Sequence, residues 1–164
     1  LSNLGRFDDA EEACRAVLAD EPEHTGALMS LGHIANARAD RPAAAAWFEL
    51  AARAAPGSAA ARLDFASALR DLGDFGAARE AAEAVLAREP GSADAWMSLG
   101  HTERRAGRRE AALEAFSRAS ELKPDSPTPL VQMAVEERRL GRPEACERLL
   151  ARAIEADGDD REAL

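Results

Sequence analysis

Apolar and small residues return along this chain at steps of three and four, in blocks of about a dozen positions parted by short polar or glycine-bearing breaks, the spacing of amphipathic helices. From Ala93 onward, Trp96, Leu99, Gly100 and Glu103 stand at i, i+3, i+4 and i+7, one face of a helix on which three of four residues are apolar or small. The breaks are as regular as the blocks. Pro22, Pro56, Pro90 and Pro124 are each 34 residues apart, and Gly5, Gly73, Gly107 and Gly141 mark a second kind of break, with Ala39 in the equivalent place. A helix stops most easily on a residue that accepts the left-handed conformation, and the residue before a proline is driven out of the helical region. The pattern therefore predicts helices near residues 8–20, 25–38, 42–54, 59–72, 75–88, 93–106, 109–122, 127–140 and 143–156, with no sheet. Pro42 and Pro143 can open helices, where a missing N–H costs nothing, and Ser58, Ser92 and Ser126 can cap the helices that follow them.

The core follows from the same register. Gly32, Ala66, Gly100 and Ala134 share one place on the first helix of each pair, and Ala10, Ala44, Ala78, Ala112 and Cys146 share one on the second. Small residues on both sides let paired helices approach closely, with Phe48 and Phe116 filling the space beside them. A longer recurrence overlies this one: Met29-Ser30-Leu31-Gly32-His33 returns as Met97-Ser98-Leu99-Gly100-His101, a shift of 68. Whatever touches one histidine is expected to touch the other.

Trp96, Leu99, Gly100, Ala112, Phe116 and Pro124 give the spacings W-x2-L-G, A-x3-F and P within a 34-residue period. At these residues the chain resembles the tetratricopeptide repeat (TPR) family over its whole length. The resemblance implies an all-α, right-handed α-solenoid of antiparallel helix pairs: a single domain over 1–164, with a partial repeat 1–24, repeats 25–58, 59–92, 93–126 and 127–160, and the start of a further one at 161–164, where Leu164 takes the place of Leu28 and Trp96. The chain departs from the family where Ala35, Leu69, Glu103 and Glu137 replace a tyrosine, where Arg62 replaces a bulky apolar residue, and where Gly158 replaces the fifth proline.

Composition narrows the function. The net charge of −9 opposes a reading as a nucleic-acid or anionic-membrane binder, since phosphate backbones need clustered Lys and Arg. No apolar run is long enough to span a bilayer, and the expected compartment is the cytoplasm, with the periplasm as the alternative. Cys14 and Cys146 stand almost four repeats apart, beyond the reach of a disulfide, and read as buried small apolar residues. There is no Gly-rich phosphate loop, no H-E-x-x-H, no cysteine pair at metal spacing and no G-x-S-x-G, so neither enzyme nor cofactor nor metal is expected.

By resemblance, function belongs on the inner wall formed by the first helices, which in this family holds peptides or partner segments. The stripe beside the core face carries Met29, His33 and Asn36, then Leu63, Ser67 and Arg70, then Met97, His101 and Arg104, then Val131, Val135 and Arg138. One row is apolar and another is Asn36, Arg70, Arg104, Arg138, which suits a protein or peptide segment with alternating apolar and acidic or polar groups. A second reading of the arginines is that, in the last turn of their helices, they answer the helix dipole. Two known TPR binding modes are excluded. The two-carboxylate clamp needs a Lys where Met29, Leu63, Met97 and Val131 stand, and an asparagine ladder needs more than Asn36 in its row. The expected function is a non-catalytic interaction scaffold; a substrate-recruiting arm of a transferase or hydroxylase, or a self-associating assembly element, are the alternatives.

Overall fold

A computed structural model describes residues 2–162, with side chains from Phe7 to Asp157. Among the described residues it is all α-helix and turn, with helices α1 (Ser2–Asp20), α2 (Thr25–Ala37), α3 (Arg41–Ala54), α4 (Ala59–Leu72), α5 (Phe75–Leu86), α6 (Ala93–Arg105), α7 (Arg109–Leu122), α8 (Pro127–Arg139) and α9 (Pro143–Glu162). None is long and apolar enough to cross a membrane. The chain divides into two compact units, Leu1–Ala81 and Ala82–Leu164.

Helices stop where the glycine register says, because Gly73, Gly107 and Gly141 adopt positive φ. Ala39 does too, at φ 60°, the sole non-glycine among the described residues to do so. Its left-handed backbone costs an L-residue about 1 kcal/mol or more. Two glycines behave otherwise. Gly5 lies inside α1 and Gly158 inside α9, which runs on past the expected end at 156. Glycine permits a left-handed stop without imposing one, and at Gly158 no proline ring is present to block the next helical residue. Leu164, expected to open a further repeat, lies outside the described residues.

Of the three expected serine caps two form: Ser58 Oγ accepts from the Ala61 N–H at 3.2 Å and Ser92 Oγ from the Ala95 N–H at 3.3 Å. Ser126 makes no such bond. The residue three positions on is Pro129, which has no N–H to give. His24 caps α2 in the serine manner, its Nδ1 accepting from the Ala27 N–H at 3.1 Å.

In the first unit, Ala35, Ala44, Ala45, Phe48 and Ala68 pack together across α2, α3 and α4, and a second cluster joins Leu28, Ala51, Ala52 and Ala61. In the second unit, Leu130, Ala134, Leu149 and Ala153 form a core between α8 and α9. Ala44, Ala78 and Ala112 are fully buried as the register requires, but Ala10 is exposed. Cys14 and Cys146 are free thiols and only half-buried, contrary to expectation. The three residues lie on α1 and α9, the first and last described helices, each packed against one neighbour.

The close approach of paired helices is more specific than small against small. A Cβ on Gly100 would stand 2.6 Å from Cδ1 and 2.9 Å from Cζ of Phe116; on Gly32 it would stand 2.5 to 2.8 Å from the Phe48 ring. Each glycine is a notch that receives a phenyl ring from sixteen residues on, and each ring is buried. Arg62 has a comparable explanation. Its Nη2 donates to the Pro56 carbonyl at 3.4 Å, as the Trp96 indole N–H donates to the Pro90 carbonyl at 3.0 Å. Both side chains carry an N–H that ties a helix to the proline turn six residues before it.

The family tyrosine place is reassigned in pairs. Glu103, buried, receives a short hydrogen bond from Arg108 Nε, and Glu137 bonds Arg142 Nη1 at 3.3 Å. The Arg108 guanidinium is held above its usual pKa chiefly by that bond. In the first unit the same two places hold Ala35 with Asp40 and Leu69 with Asp74, and there the aspartate caps the second helix instead. The backbone brings both places together in every case, by N–H to carbonyl bonds five residues apart such as Arg108 to Glu103 at 2.9 Å. Either a cap or an ion pair across the turn satisfies the local geometry.

Candidate functional site

The twelve stripe residues lie on the four first helices, α2 and α4 in the first unit, α6 and α8 in the second. None of the twelve is buried: His33, Asn36, Val131 and Arg138 are exposed and the other eight half-buried. Met29 shares its surface with the Leu28, Ala51, Ala52 and Ala61 cluster, so it serves the core as well as the wall.

The repeated Met-Ser-Leu-Gly-His segment has a physical basis. The ring seated in each glycine notch is met edge-on by the next residue in sequence: His33 and Phe48 have centroids 5.0 Å apart at 69°, His101 and Phe116 5.2 Å apart at 68°. The packing of the pair thereby aims the histidine. Beyond that contact the two sites diverge. In the first unit His33 Nε2 lies 3.3 Å from Asp64 Oδ2, a bridge from α2 to α4. Burial pushes the Asp64 carboxyl above its usual pKa, and the His33 charge offsets part of that. In the second unit Arg104 Nη2 donates to His101 Nδ1 at 3.0 Å and its Nη1 to Gln132 Oε1 at 2.6 Å, joining α6 to α8. A guanidinium only donates, so His101 Nδ1 is the acceptor.

The arginine row is therefore not uniform. Arg70 is half-buried and donates to Ser67 Oγ at 2.7 Å, Arg104 is held between two neutral acceptors, and Arg138 is exposed with no side-chain bond among the described residues. Asn36 is exposed. The apolar row of Met29, Leu63, Met97 and Val131 runs beside it in each unit.

Asp64 and Gln132 were not in the expected stripe. They occupy one repeat place, 68 residues apart, and each reaches back to the preceding first helix. The signal was available: the sequence separations of 31 and 28 are one 34-residue period less one helical turn and less about two.

The sequence profile described as tetratricopeptide repeat matches residues 1–59 and 63–127. The chain belongs to the tetratricopeptide repeat family. Solved structures agree on the fold. MamA superposes with a TM-score of 0.81 at 22% identity, over 98% of this chain and 94% of that one, and MamA 41-end from Desulfovibrio magneticus RS-1 with 0.80 at 18%, over 96% and 89%. YrrB, described as a TPR protein with an unusual peptide-binding site, superposes with 0.70 at 18% identity, over 97% and 82%. At such identities the likeness is one of fold. No curated protein matches the chain in sequence.

Proposed function

We propose that this TPR domain is a non-catalytic scaffold that holds extended segments of a partner protein against the first helices of each unit, with six of the twelve stripe residues as the contact set in each. The observation that carries this reading is the accessibility of that stripe: on α2 the alternating positions Leu28, Leu31 and Gly32 are buried, yet His33 and Asn36 stay open, and the same split recurs on α8 between Ala134 and Val131. Apolar side chains beside guanidinium and imidazole groups offer an extended chain both contact area and hydrogen bonds. The peptide-binding site reported in the description of YrrB, which shares the fold, supports the same class of function. Selection of peptides from a random display library on the immobilised domain, then affinity measurement on a variant with Val131→Asp and Arg138→Asp, tests it. Both positions are exposed, so folding is retained. Selected peptides should lose most of their affinity for the variant; equal affinity removes this wall from the function.

A second reading, self-association, has its own observation. Leu150 and Ile154 on α9 are 41% and 72% exposed, whereas the residues one period earlier, Phe116 and Ser120, are 0% and 9% exposed. An apolar strip left open on α9 can receive a second copy. Light-scattering mass across a dilution series, with Ile154→Glu as the control variant, decides it: a concentration-independent monomer mass in the parent excludes this reading.

A further inference from the structure

We infer that the α6–α8 face of the second unit selects an extended peptide segment bearing two carboxylates about three residues apart, received by Arg104 and Arg138. This inference rests on the groove reading above and narrows it. Arg104 is half-buried and already fixed in place, yet both groups that fix it, His101 Nδ1 and Gln132 Oε1, are uncharged in that role. Two of its five N–H donors are used, and the remaining three, including Nε–H, are enough for a carboxylate in the paired geometry that guanidinium favours. Its positive charge meets no carboxylate among the described residues. That contrasts with Arg38, Arg108, Arg109, Arg139 and Arg142, each of which is matched by an acidic side chain in this acidic chain. Arg138, one period on, is exposed and has no side-chain partner among the described residues.

The first unit lacks this arrangement. Its face supplies a carboxylate of its own, Asp64 against His33, and Asn36 stands in the arginine row. An acidic segment is thus directed to the second unit. The spacing follows from the stack, because neighbouring helix layers lie about 8 to 10 Å apart and a chain in the polyproline II conformation advances about 3.1 Å per residue with about three residues per turn, so side chains three positions apart share a face and reach successive arginines. Val131 and Val135 lie on the same helix for the apolar residues between them.

The test uses short fluorescent peptides with two glutamates three positions apart and valine and leucine between, against the same peptides with glutamines, read by anisotropy on the whole chain. The glutamate peptide should bind about tenfold tighter or more, the size expected of a charge-assisted contact. Arg104→Gln should remove most of that preference, and Gln132→Ala, which releases Arg104, a part of it, while Arg53→Gln, at an exposed arginine of α3 outside the stripe, leaves it intact. Equal binding of the two peptides, or an unchanged preference in Arg104→Gln, overturns the carboxylate inference and leaves the groove reading standing. Absence of binding by every peptide overturns both.

Discussion

Replacing Gly100 with alanine adds one methyl group at the point where α6 and α7 touch, and its effect can be worked from the structure. The added Cβ would lie 2.6 Å from Cδ1 and 2.9 Å from Cζ of Phe116, well inside ordinary van der Waals contact. Phe116 cannot swing away cheaply, since its side chain is fully buried. Against this stands a helix-propensity gain of about 1 kcal/mol for Gly to Ala in a helix interior. Overpacking of this kind costs about 1 to 3 kcal/mol, so the net change for Gly100→Ala is a loss of up to about 2 kcal/mol, and Gly100→Val loses more. For a domain of this size that is a fall of up to about 8 °C in Tm at about 2 to 4 °C per kcal/mol. Gly76, whose added Cβ would meet only Asp74 Oδ1 at 3.6 Å, is the control and should lose nothing as alanine. Adding Phe116→Leu to Gly100→Ala recreates the Ala134 and Leu150 combination of the last repeat, and the cycle of urea-denaturation free energies should show the two changes to be strongly non-additive. Because His101 meets the same ring edge-on, Gly100→Ala should also weaken peptide binding at Arg104. A Gly100→Ala protein more stable than the parent, or an additive double variant, would refute the notch as the determinant of this contact.

Ala39→Gly should raise stability by about 0.5 to 1 kcal/mol in thermal denaturation, since it relieves a left-handed alanine at some cost in unfolded-chain entropy. Glu136 is fully buried, with Arg109 Nε at 3.6 Å and Arg139 Nη1 at 3.4 Å. Removing its partner with Arg109→Met should cost about 1 to 3 kcal/mol, discounted for the remaining Arg139, whereas Glu136→Ile, the residue at the equivalent Ile34, should be close to neutral because both arginines can turn to solvent; the reverse order in urea titrations would contradict this. Asp64 is held above its usual pKa by burial, so its folded state favours the protonated form: the stability this gives is present below the unfolded pKa and lost as pH rises through the folded value. Asp64→Asn should therefore gain on the parent near neutral pH, and the gain should shrink as pH falls into the acid range; a constant difference across a pH series of melts would exclude the effect. Pro129→Ala restores an N–H to the third residue of α8, and Ser126 should then cap it for about 1 kcal/mol, lost again in Ser126→Ala.

Periodicity was enough for the helices, because each is specified by residues adjacent in sequence: an apolar stripe, a left-handed stop, a proline after the end. Ala39 shows how far that reaches, for its place in the register identified a left-handed residue where its chemistry argues against one. Local chemistry also explains where the pattern failed, since Ser126 needed an N–H that Pro129 lacks, and Gly5 and Gly158 were free to stay helical. The twelve stripe residues follow from the same register, and none of them is buried. What only the tertiary structure decided is how that stripe is wired. Identical Met-Ser-Leu-Gly-His segments make one contact in common, with a phenyl ring sixteen residues from their glycine, and then part company: His33 meets Asp64 of the next repeat, whereas His101 meets Arg104 of its own helix, which Gln132 of the next repeat holds in turn. Charge at a docking wall depends on which side chains meet across helices, and a period read along one strand of sequence fixes places without fixing who answers whom.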